Sequence, residues 1–126
     1  MQAKITVIFL LYNAKKTVQA LLTAVMRQKH PKFPGTDQQA NWLSVLFVDD
    51  KSPDGTSAEL KSLLAKNPAL SHYKLVSNES NLGLSKSLNK SLEMVRSPYV
   101  LTCHCDCIFG SDLYVANMLE LLEENP

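Results

Sequence analysis

The chain reads as an α/β domain, a three-layer sandwich with a mostly parallel sheet between helices. Three observations predict this. Apolar, β-branched runs alternate four times with stretches of helical period, the runs are apolar at consecutive positions, and a polar turn follows each of them. Strands buried on both faces need helices above and below, joined by right-handed crossovers.

Ile5 to Leu11 is almost continuously apolar and reads as a central strand. Asn13 and Ala14 end it, and Val18, Leu21, Leu22 and Val25 then recur at helical spacing, predicting a helix from Lys16 to Arg27. Gln28 to Asn41 has neither period and contains Pro31, Pro34 and Gly35, so it reads as a long surface loop. Trp42 to Val48 is the second strand, stopped by the turn residues Asp49 to Gly55. Thr56 and Glu59 have the spacing of a capping box for a helix carrying Leu60, Leu63 and Leu64. Tyr73 to Val76 reads as a short third strand. After Asn78 to Gly83 comes a helix with Leu84, Leu88, Leu92 and Val95 on one side, ending before Ser97-Pro98. Tyr99 to Cys103 is the fourth strand, and Ser111 can cap a last helix bearing Val115, Met118, Leu119 and Leu122.

With 126 residues there is core for one domain, which excludes the two-domain architectures of large enzymes. Hydrophobic residues at 45% and charged residues at 20% are ordinary for a folded domain. Thirteen basic against twelve acidic side chains leave a net charge of +1, so no global field recruits nucleic acid or an anionic membrane, and an anion must be held locally. The apolar runs fall short of the ~20 residues that span a bilayer, and no signal-peptide core is visible, so this piece is expected to carry no membrane segment. Three cysteines, all within Cys103 to Cys107, form no disulfide framework and favour a reducing compartment. The dinucleotide, P-loop and nucleophile-elbow motifs are absent, and Lys15, Lys16, Lys86 and Lys90 read as solvated helix positions. A phosphoacceptor signalling domain of similar size would need its acidic pair after the first strand, whereas here the acids follow the second.

Ligands of such sheets bind at the carboxyl ends of the strands. Those ends carry Tyr12-Asn13, Asp49-Asp50, Asn78 to Gly83 and His104 to Asp106. Of Asp49 and Asp50, one can face a ligand and accept from ribose hydroxyls or a base N–H, while the other accepts backbone N–H groups; an Asx-type turn shaped by Pro53 and Gly55 explains the same residues without a ligand. In Cys103-His104-Cys105-Asp106-Cys107, strand alternation places the thiols on one side and His104 with Asp106 on the other. That imidazole and carboxylate can approach one divalent ion together with a diphosphate. Small apolar packing explains the cysteines, and a thiolate zinc site lacks its usual Cys-x-x-Cys pair.

Four stretches resemble the N-terminal, nucleotide-sugar-binding part of a family 2 glycosyltransferase with the GT-A fold. They are Thr6 to Asn13, Val48 to Thr56 (V-D-D-x-S-x-D-G-T), Asn81 to Ser91 (similar to N-x-G-x-s-x-A-x-N-x-G), and Tyr99 to Phe109, where an aspartate-x-aspartate segment belongs. The resemblance implies a GT-A sandwich, truncated, with residues 1–126 as the nucleotide-sugar-binding part and the acceptor half missing. It implies that Tyr12 stacks near a uracil or other base, that Asn13 shapes the pocket, that Asp49 or Asp50 bonds the base or ribose, that Gly83 belongs to the same site, and that Asp106, with His104, approaches a diphosphate-bound Mn²⁺ or Mg²⁺. The implied activity is metal-assisted transfer of a sugar from a UDP-sugar or GDP-sugar to a glycan, lipid or small acceptor, in cell wall or polysaccharide biosynthesis. A cytoplasmic location, the inner face of the membrane included, and self-association through an exposed apolar edge follow as expectations. Leu10, Leu88 and His104 depart from the family pattern, at a proline, an arginine and the first metal-motif aspartate. The family's general base lies beyond the metal motif, so residues 1–126 offer no catalytic base. An inactive nucleotide-sugar-binding or structural domain is the alternative.

Overall fold

A computed structural model of the chain describes residues 2–106 and 108–125. Four strands, β1 (Ile5–Leu11), β2 (Leu43–Asp49), β3 (Tyr73–Ser77) and β4 (Tyr99–His104), form one sheet in the order β3-β2-β1-β4. Every pairing is parallel, with Leu11 opposite Asp49, Asp49 opposite Ser77, and Leu10 opposite His104. This register brings the turns after β1, β2 and β3 and the end of β4 to one edge of the sheet, as the strand-end argument requires.

The two faces of the sheet are covered unequally. Ile5, Val7, Phe9 and Leu11 of β1 and Leu43, Val45 and Phe47 of β2 point to one side. There they pack against Val18, Leu21, Leu22 and Val25 of α1 (Val18–Met26), Leu60 of α2 (Thr56–Ala65), and Val115 and Leu119 of α4 (Tyr114–Glu124). The other side holds a smaller cluster of Ile8, Leu46 and Val48, joined by Leu10, Val76, Val95 and Val100, near α3 (Leu84–Leu92).

Four local expectations need correction. Helix α1 begins at Val18 rather than Lys16, because the N–H groups of Thr17 and Val18 both turn back to the Ala14 carbonyl at 2.9 Å. The long loop contains a 3₁₀ turn over Thr36–Asn41, anchored by the buried side chain of Gln39. Its Nε2 donates to the carbonyls of Val25 and Gln28 at 3.0 Å, and its Oε1 accepts from Tyr73 Oη at 2.7 Å and bonds His72 Nε2 at 2.9 Å. Thr56 makes no capping box: its hydroxyl donates to Asp54 and accepts from Ala14 N–H, while Gly55, in the left-handed region at φ 90°, precedes the helix. Ser111 does not cap α4; Gln28, from beyond α1, accepts from Val115 N–H at 3.0 Å and donates to the Ser111 carbonyl at 2.8 Å.

The α3 stripe is the largest difference. Leu84 and Leu92 are 55% and 42% exposed, and the buried residues of the helix are Ser87 and Ser91. Leu84, Leu88 and Leu92 fall within about 80° of one another around a helix of 3.6 residues per turn, a proper apolar stripe, yet the helix is rotated so that the adjacent Ser87 and Ser91 meet the sheet instead. Serines bring the backbone of α3 close to the strands, and Val95 reaches the smaller cluster from the turn after the helix.

Gln28 is 1% exposed and ties the end of α1 to the start of α4. Its replacement, Gln28→Ala, leaves a buried N–H and a carbonyl unmet and is expected to cost about 2 kcal/mol, lowering the melting temperature by several degrees in scanning calorimetry.

Candidate functional site

The turns at the carboxyl edge are bound to one another through side chains of the turn after β2. Asn13, Ala14 and Lys15, following β1, donate successive backbone N–H groups to Ser52 Oγ (2.9 Å), Thr56 Oγ1 (2.9 Å) and Asp54 Oδ2 (3.2 Å). Asn13 and Lys51 both adopt left-handed backbone, at φ 53° and 59°. Asn tolerates that region, whereas Lys51 is held there by its surroundings. Bonds from the Thr56 hydroxyl, with those from Lys15 and Thr56 N–H, hold the Asp54 carboxyl below its usual range.

Asp49 and Asp50 divide their work. Asp49 is 2% exposed, and its carboxylate accepts from Ser52 N–H and Oγ on one oxygen and Ser57 Oγ (2.6 Å) on the other. Asp50 turns toward the segment after β3, accepting from Leu82 N–H (2.7 Å) and Asn78 Nδ2 (2.9 Å) on Oδ1 and from Gly83 N–H (3.0 Å) on Oδ2. Burial would raise the Asp50 carboxyl, but the bonds from Leu82, Asn78, Gly83 and Ser87 outweigh it and hold the group below its ordinary value. Gly83 sits at φ 84° and ψ 167°, a conformation open essentially to glycine alone, which is how its N–H reaches the carboxylate at the start of α3.

Asp50 lines a cleft of about 180 Å³ with Leu10, Leu11, Tyr12, Val48, Leu84, Ser87, His104 and Cys105. The Tyr12 ring is 46% exposed, beside an ionised carboxylate and apolar walls. Of the sequence-predicted residues, Tyr12, Asp50 and His104 meet in this cleft, and Gly83 touches it through its hydrogen bond to Asp50. Asn13 is exposed at its margin, Asp49 lies beneath it as a brace for the turn, and Asp106 is exposed in the turn after β4, outside the cleft lining. The expected alternation holds through β4, with Cys103 buried, His104 exposed and Cys105 packed on the core; Cys107 lies outside the described residues.

Among the described residues no three His, Cys, Asp or Glu side chains come together to enclose a metal. His104 and Asp106 supply one imidazole and one carboxylate, both exposed near the cleft's end of β4. That donor pair suits an ion whose remaining ligands come from a diphosphate and water, and does not suit a site closed by protein alone.

Sequence reasoning placed Asn78 at a strand end but did not single out the serines of the polar layer it joins, Ser52, Ser57 and Ser87. Its signal was Ser87 and Ser91, four apart in α3 and set against leucines that belong outside. A larger cavity of about 900 Å³, lined by Gln39 and His72 among others, lies between the ends of α1 and α2, away from the strand carboxyl ends. Burial holds the His72 imidazole below its ordinary range there and raises the Tyr73 phenol.

Comparison with known proteins agrees with this arrangement. The family described as glycosyl transferase family 2 matches residues 6–126. The UDP-Glc:alpha-D-GlcNAc-diphosphoundecaprenol beta-1,3-glucosyltransferase WfgD of Escherichia coli is 26% identical over 117 residues, 93% of this chain and 38% of that protein. The mannosyltransferase PcManGT from Pyrobaculum calidifontis, in complex with GDP-Man and Mn²⁺, shares the fold at a TM-score of 0.81 and 24% identity, over 97% of this chain and 33% of that one. TarS of S. aureus in complex with UDP-GlcNAc matches at 0.75 and 25% identity, over 96% and 31% of the two chains. This chain therefore spans about a third of the length of the relatives it matches. An all-parallel sandwich whose Tyr-Asn, Asp-Asp and Asn-x-Gly turns converge on one cleft, matched along nearly its whole length, belongs to glycosyl transferase family 2.

Proposed function

We propose that residues 1–126 are the donor-binding part of an enzyme that transfers a sugar from a UDP-sugar or GDP-sugar to a glycan, lipid or small acceptor. The observation that carries this reading is the cleft in which the Tyr12 ring and the Asp50 carboxylate face the same space. An exposed aromatic ring beside apolar walls suits the face of a base, and a carboxylate held ionised suits a base N–H or a ribose hydroxyl. Leu82, Asn78 and Gly83 hold the Asp50 carboxylate at the cleft wall, with Ser87 beside it in the cleft lining. Asn13 shapes the rim, and Asp49 supports the site from beneath. The UDP-GlcNAc bound by TarS and the GDP-Man bound by PcManGT support a nucleotide-sugar ligand.

His104 and Asp106 are the residues that would hold Mn²⁺ or Mg²⁺ beside the diphosphate. When bound there, such an ion would supply positive charge against a departing nucleoside diphosphate. This chain's own part is to hold base, ribose and diphosphate in a fixed pose. His104 in place of an aspartate, with Asp106 outside the cleft lining, favours as second reading an inactive nucleotide-sugar-binding or structural domain.

Among the described residues no helix is long and apolar enough to cross a membrane. We place the protein in the cytoplasm, at the inner face of the membrane where a lipid-linked acceptor is used, in cell wall or polysaccharide biosynthesis. Leu84 and Leu92, both exposed on α3, support self-association through that side of the sheet.

Calorimetric titration with UDP and GDP, with and without Mn²⁺ or Mg²⁺, tests the donor site. Binding strengthened by metal is expected, with Asp106→Ala removing the metal-dependent part and Tyr12→Ala weakening affinity about tenfold. A well-folded sample that binds neither nucleotide overturns the donor-site reading. Nucleotide bound without any response to metal favours the inactive domain.

Acid stability tests the state of Asp50. Its folded carboxyl titrates below the ordinary aspartate value, so its stabilisation is complete above that ordinary value and fades as pH falls through the lower folded one. Asp50→Asn is expected to be less stable at neutral pH and to lose less stability on acidification, measured by urea unfolding at stepped pH.

A further inference from the structure

We infer that Asn78, oriented by Lys90, is a positioning residue that fixes the direction and the ionised form of the Asp50 carboxylate in the donor cleft. The inference rests on the reading of Asp50 as a donor-binding residue.

Asn78 is 3% exposed and follows β3, where its N–H donates to the Asp49 carbonyl at 2.8 Å. A buried amide must satisfy an oxygen and two N–H groups. Here Nδ2 donates to Asp50 Oδ1 at 2.9 Å and to Ser87 Oγ at 3.0 Å, while Oδ1 accepts from Lys90 Nζ at 3.1 Å.

The direction of this amide is dictated by its neighbours. An ammonium can only donate and a carboxylate can only accept, so the reversed amide would set oxygen against Asp50 and NH₂ against Lys90. Two favourable contacts would become two repulsive ones. Lys90, three residues beyond Ser87 on α3, therefore determines which way Asn78 faces. Ser87 Oγ accepts from Asn78, which frees its own hydrogen to donate onward within the cleft that it lines. The Leu82 and Gly83 N–H groups restrain the carboxylate from the α3 side, and Asn78 restrains it from β3. Removing Asn78 frees Asp50 to rotate about the two backbone donors and takes away a hydrogen bond to its charged form. The other ionisable groups around the cleft are Tyr12 from the turn after β1 and His104 and Cys105 from the end of β4. The Asp49 carboxylate is committed to Ser52 and Ser57.

The test combines ¹³C carboxyl NMR titration of Asp50 with calorimetric titration of UDP in Mn²⁺, on the whole chain. Asn78→Leu is expected to raise the Asp50 midpoint by about one pH unit and to weaken UDP about tenfold. Lys90→Met, on an exposed side chain, moves both in the same direction by a smaller amount, and Lys90→Arg recovers them. Lys66→Met, which removes a positive charge at the far end of α2, leaves both unchanged. The positioning role is overturned if UDP binding is lost in Asp50→Asn yet kept in Asn78→Leu and Lys90→Met with the Asp50 midpoint unmoved. It is also overturned if Lys66→Met shifts the midpoint as far as Lys90→Met does. UDP binding that survives Asp50→Asn overturns the donor-site reading of Asp50 itself, and the inference with it.

Discussion

Two adjacent carboxylates at the end of β2 hold the carboxyl edge of the sheet together. Strand alternation sends Asp49 and Asp50 in opposite directions, so one turn reaches two others. Asp49 organises its own turn through Ser52 and the start of α2 through Ser57. Asp50 captures the segment that leads into α3. Ser52, Asp54 and Thr56 then accept three consecutive N–H groups from the turn after β1. Every residue proposed to touch the nucleotide base or ribose is positioned from this hub, and the left-handed backbone at Asn13, Lys51, Gly55 and Gly83 is what these bonds enforce.

This hub also explains how a nearly neutral chain can serve an anionic ligand. The net charge of +1 provides no long-range attraction, and the cleft itself contains a carboxylate. On the proposed reading, recognition of base and ribose is separated from neutralisation of phosphate: the first falls to Tyr12 and Asp50 within the cleft, and the second to a metal that His104 and Asp106, at the end of β4, would hold.

The sheet was legible from sequence because consecutive apolar residues such as Val45 to Val48 have no other soluble use in so short a run. The strand-end rule brings Tyr12, Asp50 and His104 into one neighbourhood from the strand order alone. Helix faces were less legible. In α1 the spacing of Val18, Leu21, Leu22 and Val25 identifies the buried side, but in α3 the leucines make an equally regular stripe while serines face the sheet. Serines are read as surface residues unless their partners are known, and those partners, Asn78 and the sheet, are distant in sequence. The same limit hid Gln28 as the cap of α4 and Gln39 as the anchor of the long loop. Local spacing cannot reveal a bond made across 87 residues.

The serine face of α3 gives the two layers of the sandwich different resistance to opening. Helices α1, α2 and α4 rest on the larger apolar core, and detaching them exposes Phe9, Phe47 and the leucines around them. Helix α3 is fastened by Ser87, Lys90 and the Asp50 clasp, over a cluster of only three buried residues. Its release forfeits polar bonds that water can replace in part, and little apolar contact. Amide hydrogens of α3 should therefore exchange with solvent through local openings well before those of β1, and a nucleotide drawing on Asp50 would slow that exchange without altering the rest of the core. The wall of the cleft is the layer of the domain whose order ligand binding can most readily change.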